Sequence, residues 1–293
     1  MKKLFVTGAR GFLGWNICQT AKREWEIFGT VFSHRVEIAG VNIVKVDLTD
    51  FDELKNIFQM IKPDAVIHTV AKSDPNYCQL NRNESKKLNV DASINIAKLC
   101  AEYSIHCVFT STDLVFNGLN APYREEYPVC PVNFYGEQKV LAEEGMLKYH
   151  PMVAICRMAL MFGITGPRAK SFIQPMIEAT REGRALRLFV DEFRTPVSAK
   201  AAVSGIFLAL EKVCGLIHLG GIERISRYDF GLSLMNMLNI QKANFSPCGQ
   251  RDVVMPALRP PDVSLDSTKA FCNGFQTITL GRRVEGATWH CLI

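Results

Sequence analysis

The sequence predicts an α/β fold in which a doubly wound parallel sheet carries a smaller C-terminal lobe. The chain opens with a β-branched and aromatic run at 3–6, then a glycine-rich turn, then an apolar-periodic segment. That order indicates strand, tight turn and helix. Further apolar runs are continuous rather than alternating, as expected for strands that are covered on both faces. Between them, apolar residues such as Leu88, Ala92 and Ile96 recur at helical spacing.

Strands and helices alternate regularly up to about residue 160. The continuous apolar runs predict strands at 27–32, 43–46, 65–68, 107–109 and 153–156. After Gly163 the alternation weakens, and we expect helices near 171–182, near 200–212 and after Ser226, with a strand at 216–219.

This change of rhythm predicts two units. Residues 1–160, together with about 196–214, are expected to form the nucleotide-binding sheet domain. Residues 161–195 and 215–293 are expected to form the small substrate-binding lobe.

Composition and charge exclude several classes of protein. The chain has 293 residues, 48% of them hydrophobic, which is enough for a packed core and excludes a disordered protein. Its 34 basic and 29 acidic residues leave a net charge of +5 that is spread along the chain, so we expect no nucleic-acid partner. No stretch approaches the ~18 uncharged apolar residues of a membrane helix, and the opening residues do not form a signal peptide. We therefore expect a cytoplasmic protein without a membrane partner. A homodimer is a possible state of the protein.

The cysteines and histidines do not indicate a metal site. The ten cysteines are scattered and never form a C-x-x-C pair, which favours reduced thiols. The six histidines have no metal-ligand spacing. We therefore predict no metal.

The glycine-rich turn predicts a dinucleotide site. Gly8, Gly11 and Gly14 follow a strand and open a helix. Without side chains, Gly8 and Gly11 let the backbone turn and approach a diphosphate, while Gly14 allows close packing of helix and strand. The charge of the diphosphate would lie at the helix N-terminus, at the backbone of Phe12 and Leu13.

The end of the second strand favours NADP(H) over NAD(H), although NAD(H) stays open. The segment 32–35 carries no carboxylate to bind a ribose 2′-hydroxyl. Arg10 and Arg35, with His34 beside it, are instead suited to a 2′-phosphate. Asp47, followed by Leu48, is a candidate adenine contact, and a simple turn or cap is an equal alternative for it.

A hydroxyl, a phenol and an ammonium predict carbonyl reduction. Tyr135 and Lys139 are four residues apart, so on a helix they project from one face, about 6 Å apart along the axis. Tyr135 can protonate an oxygen that gains alkoxide character during hydride transfer, and the charge of Lys139 is expected to lower the pKa of the phenol. Thr112, at the carboxyl end of the fifth strand, can donate to the same oxygen.

Together with the glycine turn, these residues resemble the extended short-chain dehydrogenase/reductase superfamily over essentially the whole chain. The resemblance implies a Rossmann fold, with Thr112, Tyr135 and Lys139 as the catalytic set. It also implies that Asn89 supports the site and that Ala71 contacts the cofactor.

Within that superfamily the chain looks most like the dTDP-4-dehydrorhamnose reductases, through the segments 111–118 and 133–139 with Glu143. That resemblance implies reduction of a keto group on a sugar or nucleotide sugar. Two departures stand at the substrate side, since Leu114 replaces the usual tyrosine and 157–160 lacks the usual tryptophan.

Five residues are expected to meet a small-molecule substrate, three of them from the resemblance and two, Arg194 and Arg259, from their place near prolines at the lobe boundary. They follow the catalytic threonine, end the sixth strand or lie at the lobe boundary, and are Asp113, Leu114, Leu160, Arg194 and Arg259. For the two arginines an ordinary salt bridge is an equal alternative to an anionic substrate.

Two neighbouring functions bear on the prediction. Sugar-nucleotide dehydratases use a glutamate base where this chain has Leu114, which excludes that reaction because leucine cannot accept a proton. The segments 89–93 and 122–126 also resemble the regulatory beta subunit of methionine adenosyltransferase, which binds NADP in an assembly role. A non-catalytic NADP-binding subunit is therefore the alternative function.

Overall fold

A computed structural model describes residues 1–32, 36–167, 169, 171–240 and 243–278. Its centre is a parallel sheet in the order β11-β6-β5-β4-β1-β2-β3. The strands of this sheet are β1 (Lys2–Thr7), β2 (Trp25–Val31), β3 (Val41–Lys45), β4 (Ala65–His68), β5 (His106–Thr112), β6 (Ala154–Met158) and β11 (Gly215–Leu219). The predicted doubly wound α/β fold is confirmed.

Helices cover both faces of the sheet and build the lobe. They are α1 (Phe12–Ala21), α2 (Phe51–Ile61), α3 (Pro75–Leu80), α4 (Arg82–Lys86), α5 (Ala92–Glu102), α6 (Phe134–Tyr149), α7 (Gln174–Arg181), α8 (Ala199–Lys212), α9 (Arg227–Met237) and α10 (Thr268–Cys272). Short strand pairs complete the fold: β7 (Met161–Phe162) with β10 (Val197–Ser198), β9 (Phe193–Arg194) with β12 (Ile225–Ser226), and β8 (Leu186–Phe189) with β13 (Phe245–Cys248).

The hydrophobic core forms one cluster on each face of the sheet. On one face, α1 and α8 pack through side chains such as Ile17 and Ile206. On the other, α2, α5 and α6 pack through Leu54, Ile96 and Met146. Because both faces are covered, the strands carry continuous apolar runs, which is why the sequence pattern located them.

The lobe has a small core of its own, and one predicted boundary is wrong. Ile177 of α7, Leu188 of β8 and Phe230 of α9 pack together away from the sheet. Residues Gly215–Leu219, which the sequence placed in the lobe, instead form the edge strand β11 beside β6. The apolar run of β11 needs the cover that a sheet edge beneath α8 and α10 provides.

The described part of the chain contains neither a membrane-spanning helix nor a cluster of metal-ligating side chains. None of its helices combines the length and the apolar character that crossing a bilayer requires. It brings together no group of three or more His, Cys, Asp or Glu side chains suited to hold a metal ion.

Candidate active site

A cleft of about 1030 Å³ runs along the carboxyl ends of the sheet strands and continues under the lobe. Gly8 follows β1, Thr112 ends β5 and Met158 ends β6, and all three line this cleft. Open α/β sheets bind ligands at this edge because the loops leaving neighbouring strands diverge there. The fold therefore places the ends of separate strands around one cavity.

The glycine turn forms one end of the cleft and fits a dinucleotide diphosphate. Gly8 has φ 71°, and its carbonyl accepts a hydrogen bond from the Gly11 N–H at 2.8 Å. A Cβ built on Gly14 would lie 2.3 Å from the Gly8 carbonyl oxygen, so only glycine permits this close approach. Helix α1 begins at Phe12 with no side-chain cap and no acidic residue in its first turn. Its N-terminus is therefore suited to receive an anion.

The cleft continues past the glycine turn, where the sequence predicts that adenosine binds. The predicted contacts Arg10, Asp47 and Leu48 line the cleft, and so does Phe32, which is 65% exposed. The Asp47 carboxylate also accepts hydrogen bonds from the Thr49 amide at 2.9 Å and from the Thr49 hydroxyl at 2.7 Å. Asp47 therefore forms the turn that the sequence offered as an alternative, while still facing the cleft. The predicted contacts His34 and Arg35 lie outside the described residues.

The cleft is also lined by the three predicted catalytic residues, Thr112, Tyr135 and Lys139. Asn133 caps α6 by accepting a hydrogen bond from the Gly136 amide at 3.0 Å. A Cβ on Gly136 would lie 2.2 Å from the Leu114 carbonyl oxygen. This close contact holds the first turn of α6, and with it Tyr135, against the end of β5.

Lys139 is buried beneath the centre. Its ammonium donates to the Thr110 carbonyl at 2.6 Å and lies 4.0 Å from the centroid of the Phe109 ring. Burial lowers the pKa of Lys139 to about 7, against an opposing influence of the Glu143 charge. Near neutral pH this side chain is therefore divided between its charged and neutral forms.

The pKa of Tyr135 is raised, which corrects the expectation that Lys139 lowers it. Burial is the main cause, the negative charges of Asp113 and Cys78 add to it, and a hydrogen bond with Thr112 acts in the opposite direction. Desolvation disfavours the phenolate more than the half-charged, buried Lys139 can favour it. Tyr135 therefore stays protonated at neutral pH, in the state that a proton donor needs.

Asn89 lies behind the cleft wall, within a π-helical turn at Lys87–Asp91. Its side chain accepts from the Lys72 amide at 2.8 Å, donates to the Lys72 carbonyl at 3.1 Å and donates to Gln138 at 2.7 Å. It thus ties α6 to the loop 71–73, in which the predicted cofactor contact Ala71 lines the cleft.

Asp113, Leu114, Leu160, Arg194 and Arg259 all line the opposite end of the cleft, as expected for residues that meet a substrate. Arg194 lies 3.5 Å from Asp113 and 3.2 Å from Glu192. Arg259 donates to Asn76 at 3.1 Å. Arg194 therefore forms the salt bridge that the sequence offered as an alternative, and Arg259 has a hydrogen-bond partner. Both side chains nevertheless line the cleft.

Comparison with known proteins places this geometry in a family. The model of the RmlD substrate binding domain matches residues 1–286. The chain belongs to the RmlD substrate binding domain family. Its members are extended short-chain dehydrogenase/reductases, and the protein is accordingly an NAD(P)-dependent oxidoreductase of that type. The predicted resemblance to the dTDP-4-dehydrorhamnose reductases is confirmed.

Individual relatives and structures cover nearly the whole chain. Methionine adenosyltransferase 2 subunit beta of Pongo abelii is 26% identical over 306 residues, 100% of this chain and 89% of that protein. A hypothetical dTDP-4-dehydrorhamnose reductase from Sulfolobus tokodaii is 30% identical with a TM-score of 0.84, covering 96% and 98% of the two chains. A Bacillus anthracis dTDP-4-dehydrorhamnose reductase in complex with NADP is 22% identical with a TM-score of 0.86, covering 96% of each chain.

Two further charged residues, which the sequence did not indicate, line the cleft together with the predicted substrate contacts. Glu192 and Arg227 line the cleft, and Arg227 lies 3.9 Å from Glu192 and 4.5 Å from the Phe172 ring. Burial lowers the pKa of Arg227, and its Nη1 has no hydrogen-bond partner among the described residues. No motif marks Arg227, because it reaches the cleft only through the placement of α9.

A buried ion pair near the predicted catalytic residues also fixes β5, β6 and α6 together. Arg157 donates to Glu143 at 2.8 Å, and Ser111 donates to the same carboxylate. Both charged side chains are nearly inaccessible. Loss of either partner would leave an uncompensated buried charge, so this pair holds the strand that carries Thr112.

Proposed function

We propose that the protein reduces a keto group on a nucleotide sugar with NADPH, and that Tyr135 donates the proton. The observation that carries this proposal is the meeting of Thr112, Tyr135 and Lys139 on the wall of the open cleft that also contains the glycine turn. The sheet domain would hold the dinucleotide, and the lobe with the segment before α10 would close over the sugar.

The proposed step balances in atoms and charge. A bound nicotinamide cofactor would supply the hydride for the carbonyl carbon and would itself be oxidised. Tyr135 gives its proton to the carbonyl oxygen, so that a C–H and an O–H bond form while the C–O π bond breaks. The phenolate that remains is stabilised by the Thr112 hydroxyl and by the charged form of Lys139 until a proton returns from solvent.

The preference for NADPH is supported by charge at the adenosine end. Arg10 and the exposed Phe32 both line the cleft. In the sequence, Arg35 and His34 follow Phe32, and no carboxylate occurs in 32–35 to take a ribose 2′-hydroxyl. A guanidinium favours the 2′-phosphate that distinguishes NADPH from NADH.

The nucleotide-sugar substrate is supported by the arginines of the lobe boundary. Arg194, Arg227 and Arg259 face two carboxylates, Asp113 and Glu192, which leaves one positive charge in excess. Arg227 also has a buried donor, Nη1, for which the described residues provide no hydrogen-bond partner. A diphosphate would satisfy that donor and the excess charge, whereas a neutral sugar would not.

The experiment is NADPH oxidation with a panel of 4-keto nucleotide sugars, for the wild type and for Tyr135→Phe. We expect the substitution to reduce kcat by about 10²-fold or more while leaving the Kd for NADPH nearly unchanged, because only the proton donor is lost. Tyr149→Phe, on an exposed turn of the same helix, is the matched control and should behave like the wild type. Equal turnover by Tyr135→Phe and the wild type would exclude Tyr135 as the donor.

The non-catalytic alternative rests on the full-length similarity to the methionine adenosyltransferase beta subunits. It would leave NADPH binding intact and give no oxidation with any carbonyl in the panel. The open cleft argues against it, since a subunit that only binds nucleotide has no chemical need for Thr112, Tyr135 and Lys139 together.

A further inference from the structure

Three neighbours compete for the hydrogen-bonding capacity of the Thr112 hydroxyl. Its oxygen accepts a hydrogen bond from the Leu114 amide at 3.2 Å. It also lies 3.2 Å from Oδ1 of Asp113, and it forms a hydrogen bond with Tyr135, which lines the cleft. A hydroxyl has one proton and two lone pairs, so one proton and one lone pair remain to be shared among Asp113, Tyr135 and the open side of the cleft.

Apart from Thr112, the described residues offer the Asp113 carboxyl group one hydrogen bond, from its own backbone amide, which favours the ionised form. The carboxyl group is buried, and its Oδ2 has no hydrogen-bond partner in the described part of the chain, although Arg194 Nε lies 3.5 Å away. Arg194 directs its other nitrogens to Glu192 and to the Phe193 carbonyl.

Charged and titratable groups face Asp113 from three elements of the fold. Arg194 and Glu192 face it from β9 and the residue before it, Arg227 from α9 and Tyr135 from α6. Burial and the Glu192 charge raise the pKa of Asp113, Arg194 and Thr112 lower it, and the net result is a pKa of about 6. The group therefore titrates within the range in which enzymes work.

The two protonation states of Asp113 give Thr112 opposite roles. An ionised Asp113 accepts the Thr112 proton, because a carboxylate is the strongest acceptor in reach, and Thr112 then offers the cleft only a lone pair. A protonated Asp113 donates from Oδ1 to Thr112, and the Thr112 proton is released toward the cleft. A carbonyl oxygen accepts hydrogen bonds and cannot donate them, so only the second state binds it.

We propose that Asp113 is a positioning residue that, in its protonated form, turns the Thr112 hydroxyl into a donor for the substrate oxygen. This inference rests on the proposed reductase function. If it is correct, reduction depends on the proton of the Asp113 carboxyl group, in addition to the hydride of the cofactor and the proton of Tyr135.

Asp113→Asn is the informative variant because an asparagine imitates the protonated acid. Its carbonyl oxygen is drawn toward Arg194, which leaves the amide nitrogen to donate to Thr112. In this variant Thr112 should therefore remain a substrate donor at every pH.

The test compares kcat/KM for a keto nucleotide sugar in the wild type and in Asp113→Asn between pH 5 and pH 9. We expect the ratio of variant to wild type to rise above pH 6, by up to about tenfold per pH unit, because only the wild type loses its donor. The titration of Lys139 is common to both proteins and cancels in the ratio. A ratio that is constant with pH overturns the proposal.

A Thr112→Val background separates this role from a direct effect of the Asp113 charge on Tyr135. If Asp113 acts through the hydroxyl, the same ratio measured in that background stays constant with pH. A ratio that still rises would assign the effect to the charge alone and would overturn the proposal. Glu192→Gln is the second variant, and should move the alkaline limb of the wild-type profile to lower pH by removing a neighbouring negative charge.

A measurement without turnover separates this inference from the proposed function. The folded pKa of Asp113 is raised above the unfolded value of 3.8, so wild-type stability should fall relative to Asp113→Asn as pH rises from 4 to 6 and remain lower above it. Urea unfolding midpoints of the two proteins should converge near pH 4. A constant gap would contradict the inference whether or not a substrate is found, and absence of turnover with the expected gap would contradict the reductase function alone.

Discussion

At the scale of single residues, burial controls the chemistry of the cleft. It lowers the pKa of Lys139 to about 7, raises that of Tyr135 and raises that of Asp113 to about 6. In each case the neutral form gains, because desolvation penalises charge of either sign. The consequence is a centre that holds its proton-donating phenol intact at neutral pH, and that loses both the Lys139 charge and the Asp113 proton as pH rises.

Among the described residues, Arg10 is the one that the sequence predicts to favour NADPH over NADH. It lines the cleft beyond the glycine turn. Replacing it by alanine should narrow the NADPH/NADH affinity ratio by about tenfold, the result of losing one charge-assisted contact of ~1.5 kcal/mol. Fluorescence titration with each nucleotide measures this ratio. Arg23→Ala, at an exposed position just after α1, is the control, and an unchanged ratio in Arg10→Ala would remove Arg10 from the 2′-phosphate site.

At the scale of elements, the site depends on how closely α6 approaches the end of β5. Gly136 lets the Leu114 carbonyl approach the helix, and the Asn133 cap fixes where that helix begins. The pair Glu143 and Arg157 ties the next turns of α6 to β6. Packing at its neighbours thus brings Tyr135 to Thr112, with which it forms a hydrogen bond.

Gly136→Ala tests this packing. A Cβ would lie 2.2 Å from the Leu114 carbonyl oxygen, which is backbone and cannot rotate away, so α6 must shift. We expect a loss of about 1–3 kcal/mol in the free energy of unfolding, together with a fall in kcat that is larger than any change in NADPH affinity. Urea unfolding and NADPH oxidation measure the two effects. Glu144→Ala, at an exposed position of the same helix, should change neither, and an active, stable Gly136→Ala would show that the close approach is dispensable.

Runs of apolar residues predicted the strands well where burial on both faces alone determines the sequence. The strand 65–68 was located at both ends, because a strand covered on both faces is apolar throughout. The predicted strand 107–109 was too short, since β5 continues through the polar residues Thr110, Ser111 and Thr112. Those hydroxyls are buried because the sheet edge there faces the cleft, and periodicity cannot report that.

At the scale of the whole molecule, the substrate end is assembled from distant segments. Asp113 follows β5, Arg194 lies in β9, Arg227 opens α9 and Arg259 precedes α10. The sequence named three of these from a family resemblance and from prolines nearby, and missed Arg227. Its role depends on how the lobe sits on the sheet, which no local pattern encodes.

Arg227 offers the test of that assembly. Its guanidinium lies over the Phe172 ring, and its buried Nη1 has no hydrogen-bond partner among the described residues. Arg194, in contrast, already forms an ion pair with Glu192. If its free donor meets the diphosphate of a nucleotide sugar, Arg227→Met should raise KM for that substrate by about 10–100-fold, the effect of losing a hydrogen bond of ~1.5–3 kcal/mol to a charged group. Methionine fills similar space, and the Kd for NADPH should not change.

Two comparisons decide whether this increase in KM reports on the diphosphate. Arg251→Met, at an exposed position of the same lobe, should leave KM unchanged. A free keto sugar without a diphosphate should bind the wild type weakly and should lose nothing further in Arg227→Met, because the contact in question is absent from it. If KM rises equally for the free sugar and the nucleotide sugar, Arg227 acts by holding the lobe in place, and the anion-binding role would pass to Arg259, which also lines the cleft and donates to Asn76.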